Sequence, residues 1–220
     1  MKARDRILRA AMLVFRRHGF RRSSIEQAAE AAGLTRQALY HHFKSKEALF
    51  RAVIEQLHEN ALAAEIAAAK AEEKAGGSLA DILVAQVTGR LTQLIASFDG
   101  SPHIEELFSE HLVQARDLYQ KYAGFYSEQG VATIERVCRK QRLVLTKGIS
   151  SRDLARCIEM AVNGTKSAYP EMQPADAFLR DLEMMLRTLV AGAVGSSPKP
   201  RPVKPAAAKK SSRKKPGDRK

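Results

Sequence analysis

The segment SSIEQAAEAAGLTRQALYHHFKSK, residues 23–46, is the most informative stretch of the N-terminal part of the chain. It predicts two short helices that meet at Gly33, because glycine readily takes the left-handed conformation that ends many helices. We expect Ser23 to cap the first helix, in a capping box with the acidic residue three positions later, and Thr35 to cap the second. The small side chain of Ala29 lets the two helices cross closely, so the segment predicts a helix-turn-helix.

The second of these helices leaves a polar and basic surface free. Arginine can form paired hydrogen bonds with guanine and glutamine with adenine, whereas tyrosine, histidine and lysine more often contact phosphates. The alternative is an ordinary helical hairpin whose basic face is only solvated. The side chains concerned are Arg36, Gln37, Tyr40, His41, His42, Lys44 and Lys46.

A longer run, from Ile7 to Phe50, resembles the N-terminal domain of TetR/AcrR-family transcriptional regulators, most specifically in the string LYHHFKSKEALF at 39–50. The resemblance covers about the first quarter of the chain. It implies a sequence-specific regulator, most often a repressor, that binds a double-stranded DNA operator as a homodimer and is released by a small-molecule effector. By position, it implies base-facing roles for Thr35, Arg36, Gln37 and Ala38, and phosphate contacts for Tyr40, His42, Lys44 and Lys46. The predicted DNA-binding set also includes Ser23, Ser24 and His41.

The charge of the chain is concentrated at its two ends. The formal net charge is +13, with +7 on residues 1–50, −3 on residues 51–194 and +9 on residues 195–220. This partition favours two segments that meet an anionic polymer. No apolar run approaches the ~20 residues that span a bilayer, and the N-terminus is amphipathic, so we expect a cytoplasmic protein without a membrane partner. The two cysteines, Cys138 and Cys157, are expected to be buried and reduced.

Helical periodicity continues to residue 194, which predicts an all-α fold. We expect an N-terminal three-helix helix-turn-helix DNA-binding domain at 1–50 and a helical effector-binding and dimerisation domain at 51–194. Residues 195–220 are expected to form a disordered, basic tail rich in Lys, Pro and Ala, which either contacts DNA or only aids solubility.

Residues that cap or end helices predict the helix boundaries of these domains. The first runs from Ala3 to His18, and the fourth is long, from a cap at Ser45 to Gly76, so it belongs to both domains. The later helices are expected at 79–98 after a Ser78 cap, from His103 to about Tyr122, from about Gln129 to Thr146, from a cap at Ser151, and at 176–193.

Six residues of the middle domain are candidate effector contacts. The aromatic cluster around Gly124 could line a cavity or could fill the core at a helix bend. The histidine of the set falls on an apolar helix face, where a hydrogen-bonded position at the core edge is the alternative to a ligand contact. The candidates are Phe98, Phe108, His111, Tyr119, Tyr122 and Asn163.

The last two helices are strongly apolar and suit a dimer interface, with packing inside the chain as the alternative. We expect a charge placed at Leu186 to disrupt the dimer.

The sequence leaves two other functions open. One is an architectural DNA-binding protein without ligand control, which a solid middle domain would favour. The other is an enzyme, for which the only support is a face with His103, Glu106 and Glu110 that could hold a metal but is expected to be a solvated acidic face. Catalytic motifs are absent from the sequence, so we expect no catalytic residues, no metal site and no cofactor.

Overall fold

The computed structural model describes residues 3–195, and in that range the chain is all-α. The tail expected at 195–220 lies outside the described residues beyond Gly195. Within the described range, no helix has the length and apolar character needed to cross a membrane. The helices are α1 (Ala3–His18), α2 (Ile25–Ala31), α3 (Arg36–His42), α4 (Lys46–Ala75), α5 (Leu79–Phe98), α6 (Ile104–Gln114), α7 (Arg116–Gln141), α8 (Ser151–Ala168) and α9 (Ala175–Ala193), with a short 3-10 helix at Pro170–Met172.

Most helix ends lie where the sequence signals place them. Thr35, Ser45 and Ser78 each accept a hydrogen bond from a backbone N–H in the first turn of α3, α4 and α5. Gly33 and Gly76 take the left-handed conformation, with φ of 65° and 85°. These local rules therefore hold for the helix-turn-helix and for both ends of the long α4.

Two predicted caps are wrong by one residue. Helix α2 is capped by Ser24 with Gln27 as its capping-box partner, not by Ser23 with the acidic residue at 26. Helix α8 is likewise capped by Ser150, with Asp153, instead of by the following serine. In each case two serines are adjacent, and the sequence pattern alone does not select between them.

The helix predicted from His103 to about Tyr122 is divided at Ala115. The break has no proline or glycine to signal it, but Arg51 of α4 donates to the Gln114 carbonyl at 2.6 Å and to both carboxylate oxygens of Asp117 at 2.8 Å. A side chain from another helix thus satisfies the end of α6 and the start of α7. Helix α7 then continues through Gly124 to Gln141, so the predicted bend and the separate helix from Gln129 are also wrong.

Helix α4 joins two apolar cores. Its first turns, including Phe50 and Val53, pack with α1–α3, and this core also takes in Phe98, Leu107 and Leu118 from later helices. The second core contains side chains from the end of α4 and from α5, α7, α8 and α9. The expectation that α4 belongs to both halves is confirmed, because one helix contributes to both cores.

The apolar faces of α8 and α9 are buried within the chain. Ile158 and Val162 of α8 and Phe178 and Leu186 of α9 all lie in the second core, and Leu186 is 0% exposed. The choice of Leu186 as a test of dimerisation is therefore wrong, since a charge there would disrupt the fold of one chain before any interface.

Candidate DNA-reading face and effector cavity

The exposed side of α3 carries most of the predicted DNA-binding residues. Its cap, Thr35, holds the helix start through the Ala38 N–H at 3.2 Å. On its opposite side, Leu39 is fully buried in the core formed with α1, α2 and α4, and Tyr40 packs partly against that core. The polar side chains that remain exposed are Arg36, Gln37, His41 and His42, with Lys44 just after the helix.

Arg36 is positioned by two neighbours on the same surface. Its Nε lies 2.8 Å from an Oε of Glu26 on α2, and its guanidinium carbon is 5.4 Å from the centroid of the Tyr40 ring. Backbone and Ser24 hydrogen bonds at the start of α2, followed by the Arg36 charge, lower the pKa of Glu26 below its usual range. The arginine is thus charged, exposed and pre-oriented, and the predicted base contact would require it to leave the Glu26 carboxylate.

Two other predicted contacts face the protein instead. Ser23 is 5% exposed and donates its hydroxyl hydrogen to the main-chain carbonyls of Gly19 and Val14, so its assignment to DNA is wrong. Lys46 donates to the carbonyls of Phe20 and Arg21 at 3.0 and 3.3 Å. The ammonium therefore stabilises the turn between α1 and α2, and its phosphate contact stays a prediction.

The face proposed for a metal is a contact between α6 and the helix-turn-helix. Glu106 accepts from the Arg21 backbone N–H at 2.7 Å, and the buried Glu110 accepts from Arg21 Nε at 3.0 Å. The expectation of a solvated acidic face is therefore wrong, and the two carboxylates are occupied. Over residues 3–195 there is no group of three or more His, Cys, Asp or Glu arranged to hold a metal ion.

A cavity of about 170 Å³ is lined by side chains of α4, α5, α6 and α7, together with Lys166 and Met172. Its walls are mainly apolar and aromatic. They include four of the predicted effector contacts, Phe98, Phe108, His111 and Tyr119, together with Ile54, Leu57, His58, Leu94 and Leu112.

A second chamber of about 280 Å³ adjoins the first, and several charged and polar side chains line it beside apolar ones. The two chambers share His58, Leu94, Tyr119 and Lys166. We call the first the inner chamber and the second the outer chamber. Asn163, a predicted effector contact, lines the outer chamber. Tyr122, also predicted, lines neither chamber and instead stacks on His58 with ring centroids 4.8 Å apart. The remaining lining residues are Arg90, Ala123, Tyr126, Ser127, Arg152, Arg156 and Glu159.

A buried hydrogen-bonded chain crosses the boundary between the chambers. His58 Nδ1 is 2.9 Å from the Tyr126 hydroxyl, and His58 Nε2 is 3.2 Å from His111 Nε2. Burial lowers the pKa of His58 to about 3 and that of His111 to about 4, with Lys166 adding to both shifts. Both imidazoles are therefore neutral near pH 7, and one of the two facing Nε2 atoms donates while the other accepts.

Comparison with known proteins agrees with the geometry of the first three helices. Residues 7–53 match the profile of the bacterial regulatory proteins, tetR family. Residues 7–53 thus form a TetR-family N-terminal domain. The transcriptional regulator UidR of Escherichia coli K12 is 45% identical over 60 residues, and the chain spans 31% of the length of that relative and 27% of its own.

Similarity also extends beyond this TetR-family domain. The transcriptional repressor Rv1474c of Mycobacterium tuberculosis is 25% identical over 162 residues, which are 73% of this chain and 79% of the repressor. The crystal structure of the transcriptional regulator FadR from Bacillus subtilis, in complex with stearoyl-CoA, has a TM-score of 0.64 at 16% identity and covers 86% of this chain and 98% of FadR. At that identity the likeness shows that the TetR-like fold extends over the later helices.

Several cavity residues were not predicted from the sequence, although each of them carried a signal. His58 and Arg90 are polar residues in the apolar stripes of α4 and α5, next to Leu57 and Leu91. Lys166 lies on α8 at i+14 from Arg152, with other polar cavity residues between them on one stripe. A charged or imidazole side chain on a helix face that must be buried is a signal for a polar network or a ligand.

Proposed function

We propose that this protein is a sequence-specific, non-enzymatic transcriptional regulator, most simply a repressor, that leaves its operator when a small molecule fills the cavity. The observation that carries this proposal is the free face of α3, where Arg36 and Gln37 project from a helix-turn-helix that matches the TetR-family profile. Paired hydrogen bonds from such side chains to base edges in the major groove supply sequence discrimination. The place of action would be the cytoplasm, where the operator is accessible.

The cavity favours this proposal over an architectural DNA-binding protein. An architectural protein needs no internal ligand site, and a solid middle domain would have supported that alternative. Here the two chambers, of about 170 and 280 Å³, adjoin each other and are lined by side chains from several helices. An effector in this position can move the DNA-binding domain only if it binds one arrangement of the helices more tightly than another.

Two helices could transmit such a change. In α4, Ile54, Leu57 and His58 line the cavity one turn after Phe50 enters the core of the DNA-binding domain. In α6, Phe108 and His111 line the cavity, and Glu106 and Glu110 on the same helix hold the turn between α1 and α2. A shift of either helix on ligand binding would therefore move the α1–α3 unit.

A homodimer would place two reading helices in successive major grooves, about 34–36 Å apart, on a near-palindromic operator. The core-facing sides of α8 and α9 are occupied, so we propose that the opposite sides form the interface. Met160 on α8 and Met184 on α9 are 65% and 60% exposed, and Gly164 and Gly192 lie one or two turns further along the same exposed stripes. Small residues at these positions allow two helix pairs to approach closely.

Selection of bound duplexes from a random DNA pool tests the proposal directly. The expected product is one enriched motif with two inverted half-sites, bound in a fluorescence anisotropy assay with an affinity that exceeds that of scrambled DNA by at least about 10³-fold. A matched pair of variants, Gln37→Ala on the reading face and Gln120→Ala on the exposed side of α7, separates base reading from loss of any surface amide. Enrichment of no sequence, or equal loss in both variants, would contradict the proposal.

A further inference from the structure

The cavity combines an apolar inner chamber with a positively charged outer chamber. The inner chamber is walled by aliphatic and aromatic side chains and by neutral imidazoles. The outer chamber is lined by four basic side chains and one carboxylate, and the two chambers meet at Lys166. Any single ligand that fills both chambers must therefore be apolar at one end and polar or negatively charged at the other.

The positive charge of the outer chamber comes largely from one stripe of α8. Arg152, Arg156, Glu159, Asn163 and Lys166 recur at intervals of three or four residues, so they share one face of the helix, and all five line the chamber. This regular spacing places three cations along one wall. The stripe begins in the first turn of α8 and ends at Lys166, which lines both chambers.

The single carboxylate of the stripe is already occupied. Arg90 of α5 donates from Nη2 to both oxygens of Glu159, at 3.0 and 3.3 Å, and its Nη1 lies 3.4 Å from the buried Glu65. Arg90 also lies over the Tyr126 ring, 4.2 Å from its centroid. One arginine thus faces two carboxylates, and Glu159, which also acts on Lys166 by its charge, is the only carboxylate among the residues that line the outer chamber.

Three cations of the chamber consequently lack a close counter-ion. Among residues 3–195, neither Lys166 nor Arg152 forms an ion pair, and Arg156 has only an exposed contact with Asp153 at 3.9 Å. Burial, followed by the charge of Arg90, lowers the pKa of Lys166 to about 8. The ammonium is therefore charged at neutral pH at a desolvation cost that an anion beside it would offset.

The inner chamber sets the size of the apolar part. Its volume of about 170 Å³ is close to that of dry protein cavities that hold a single benzene ring. His58 and His111 provide polar atoms at its edge, but both rings are neutral and hydrogen-bonded to each other. The chamber thus suits one aromatic ring or a short alkyl chain.

We propose that the effector is an amphipathic anion, with a ring-sized apolar body in the inner chamber and a carboxylate-like group held by Lys166, Arg152 and Arg156 in the outer chamber. This inference rests on the proposed function, in which the cavity holds the effector. It specifies that an anion, and not a neutral or cationic compound of the same shape, is the preferred ligand. Charge-assisted hydrogen bonds from the half-buried Lys166 and from the more exposed Arg152 and Arg156 give the discrimination.

Three probes of one shape test the charge preference by isothermal titration calorimetry on the full chain without DNA. They are 3-phenylpropionate, 3-phenylpropan-1-ol and 3-phenylpropylamine. The expected order of affinity is anion, then alcohol, then amine, with the anion at least about tenfold tighter than the alcohol. Equal binding of anion and alcohol, tightest binding of the amine, or no binding of the anion at millimolar concentration would each overturn the inference.

Two lysine variants locate the anionic subsite. Lys166→Met keeps the length and apolar stem of the side chain but removes its charge. We expect this variant to bind the anion about tenfold more weakly and to bind the alcohol with unchanged affinity. Lys147→Met removes an exposed lysine from the loop before α8 and is expected to change neither affinity. Equal effects of the two variants on the anion would show that it responds only to overall charge.

The outcome can be separated from failure of the proposed function. Sequence-specific DNA binding with no preference for the anion would refute the ligand class and leave a regulator with another effector. Selective anion binding by a protein that enriches no DNA sequence would leave the cavity assignment intact and refute the regulator. The two measurements share the protein but neither depends on the other.

Discussion

Replacing Arg36 with alanine should reduce sequence discrimination and leave folding intact. Among residues 3–195, the guanidinium pairs with Glu26 and lies over the Tyr40 ring, and its side chain is 64% exposed. An exposed ion pair of this kind contributes little to stability, and alanine is a favourable residue in a helix. Urea unfolding of Arg36→Ala should therefore have nearly the same midpoint and slope as that of the parent protein.

The effect on DNA follows from the loss of one base contact in each half-site. A paired hydrogen bond to a base edge contributes about 5-fold to 150-fold in discrimination against the wrong base. A dimer with two half-sites would lose up to the square of that factor at a symmetric operator. Binding must also separate Arg36 from Glu26, so Glu26→Ala should bind the operator at least as tightly as the parent protein.

The assay is fluorescence anisotropy with the selected operator and a scrambled duplex of equal length, at one fixed salt concentration because phosphate contacts make affinity salt-dependent. The quantity of interest is the ratio of the two dissociation constants. Arg36→Ala should reduce this ratio, and Glu26→Ala should not. If Arg36→Ala weakens operator and scrambled DNA by the same factor, the side chain holds a phosphate and the assignment of base reading to it is refuted.

The remaining predictions concern coupling, assembly, pH and the tail. Glu110→Gln should leave operator affinity and calorimetric ligand affinity nearly unchanged but reduce ligand-induced release, because it weakens the contact of α6 with the α1–α2 turn; unchanged release would exclude this route. Met184→Arg should give monomers in sedimentation with unchanged helix content, and a dimer of unchanged stability would place the interface elsewhere. Burial raises the pKa of Glu65 to about 7 despite its contact with Arg90, so the folded state holds an extra proton between about pH 4.5 and 7. The stability of the parent protein relative to Glu65→Gln should therefore fall by roughly 1–3 kcal/mol from pH 5 to pH 8, and parallel pH profiles in urea unfolding would contradict this. Truncation after Val194 removes a segment with ten Lys or Arg and one Asp, and should lower the salt dependence of non-specific DNA binding by several ion equivalents; equal slopes would show no DNA contact.

Local sequence signals determined the helix boundaries of the N-terminal domain of this protein. Gly33, Thr35 and Ser45 act within one or two turns of their own positions, so the ends of the helix-turn-helix and the start of α4 follow from short-range rules. The same rules placed α1 and the free face of α3. They did not distinguish Ser23 from Ser24, because either hydroxyl could cap α2 until packing buried the first of them.

Only the tertiary structure decided the middle domain and its cavity. Helices α6 and α7 separate where Arg51, more than sixty residues earlier in the chain, supplies the hydrogen bonds that the break requires. The cavity likewise draws His58 from α4, Arg90 from α5 and Lys166 from α8, whose meeting depends on helix crossings that no local pattern encodes. Periodicity determines which side of a helix is buried, because that depends on near neighbours, but the partner across the core is set by contacts between residues far apart in sequence.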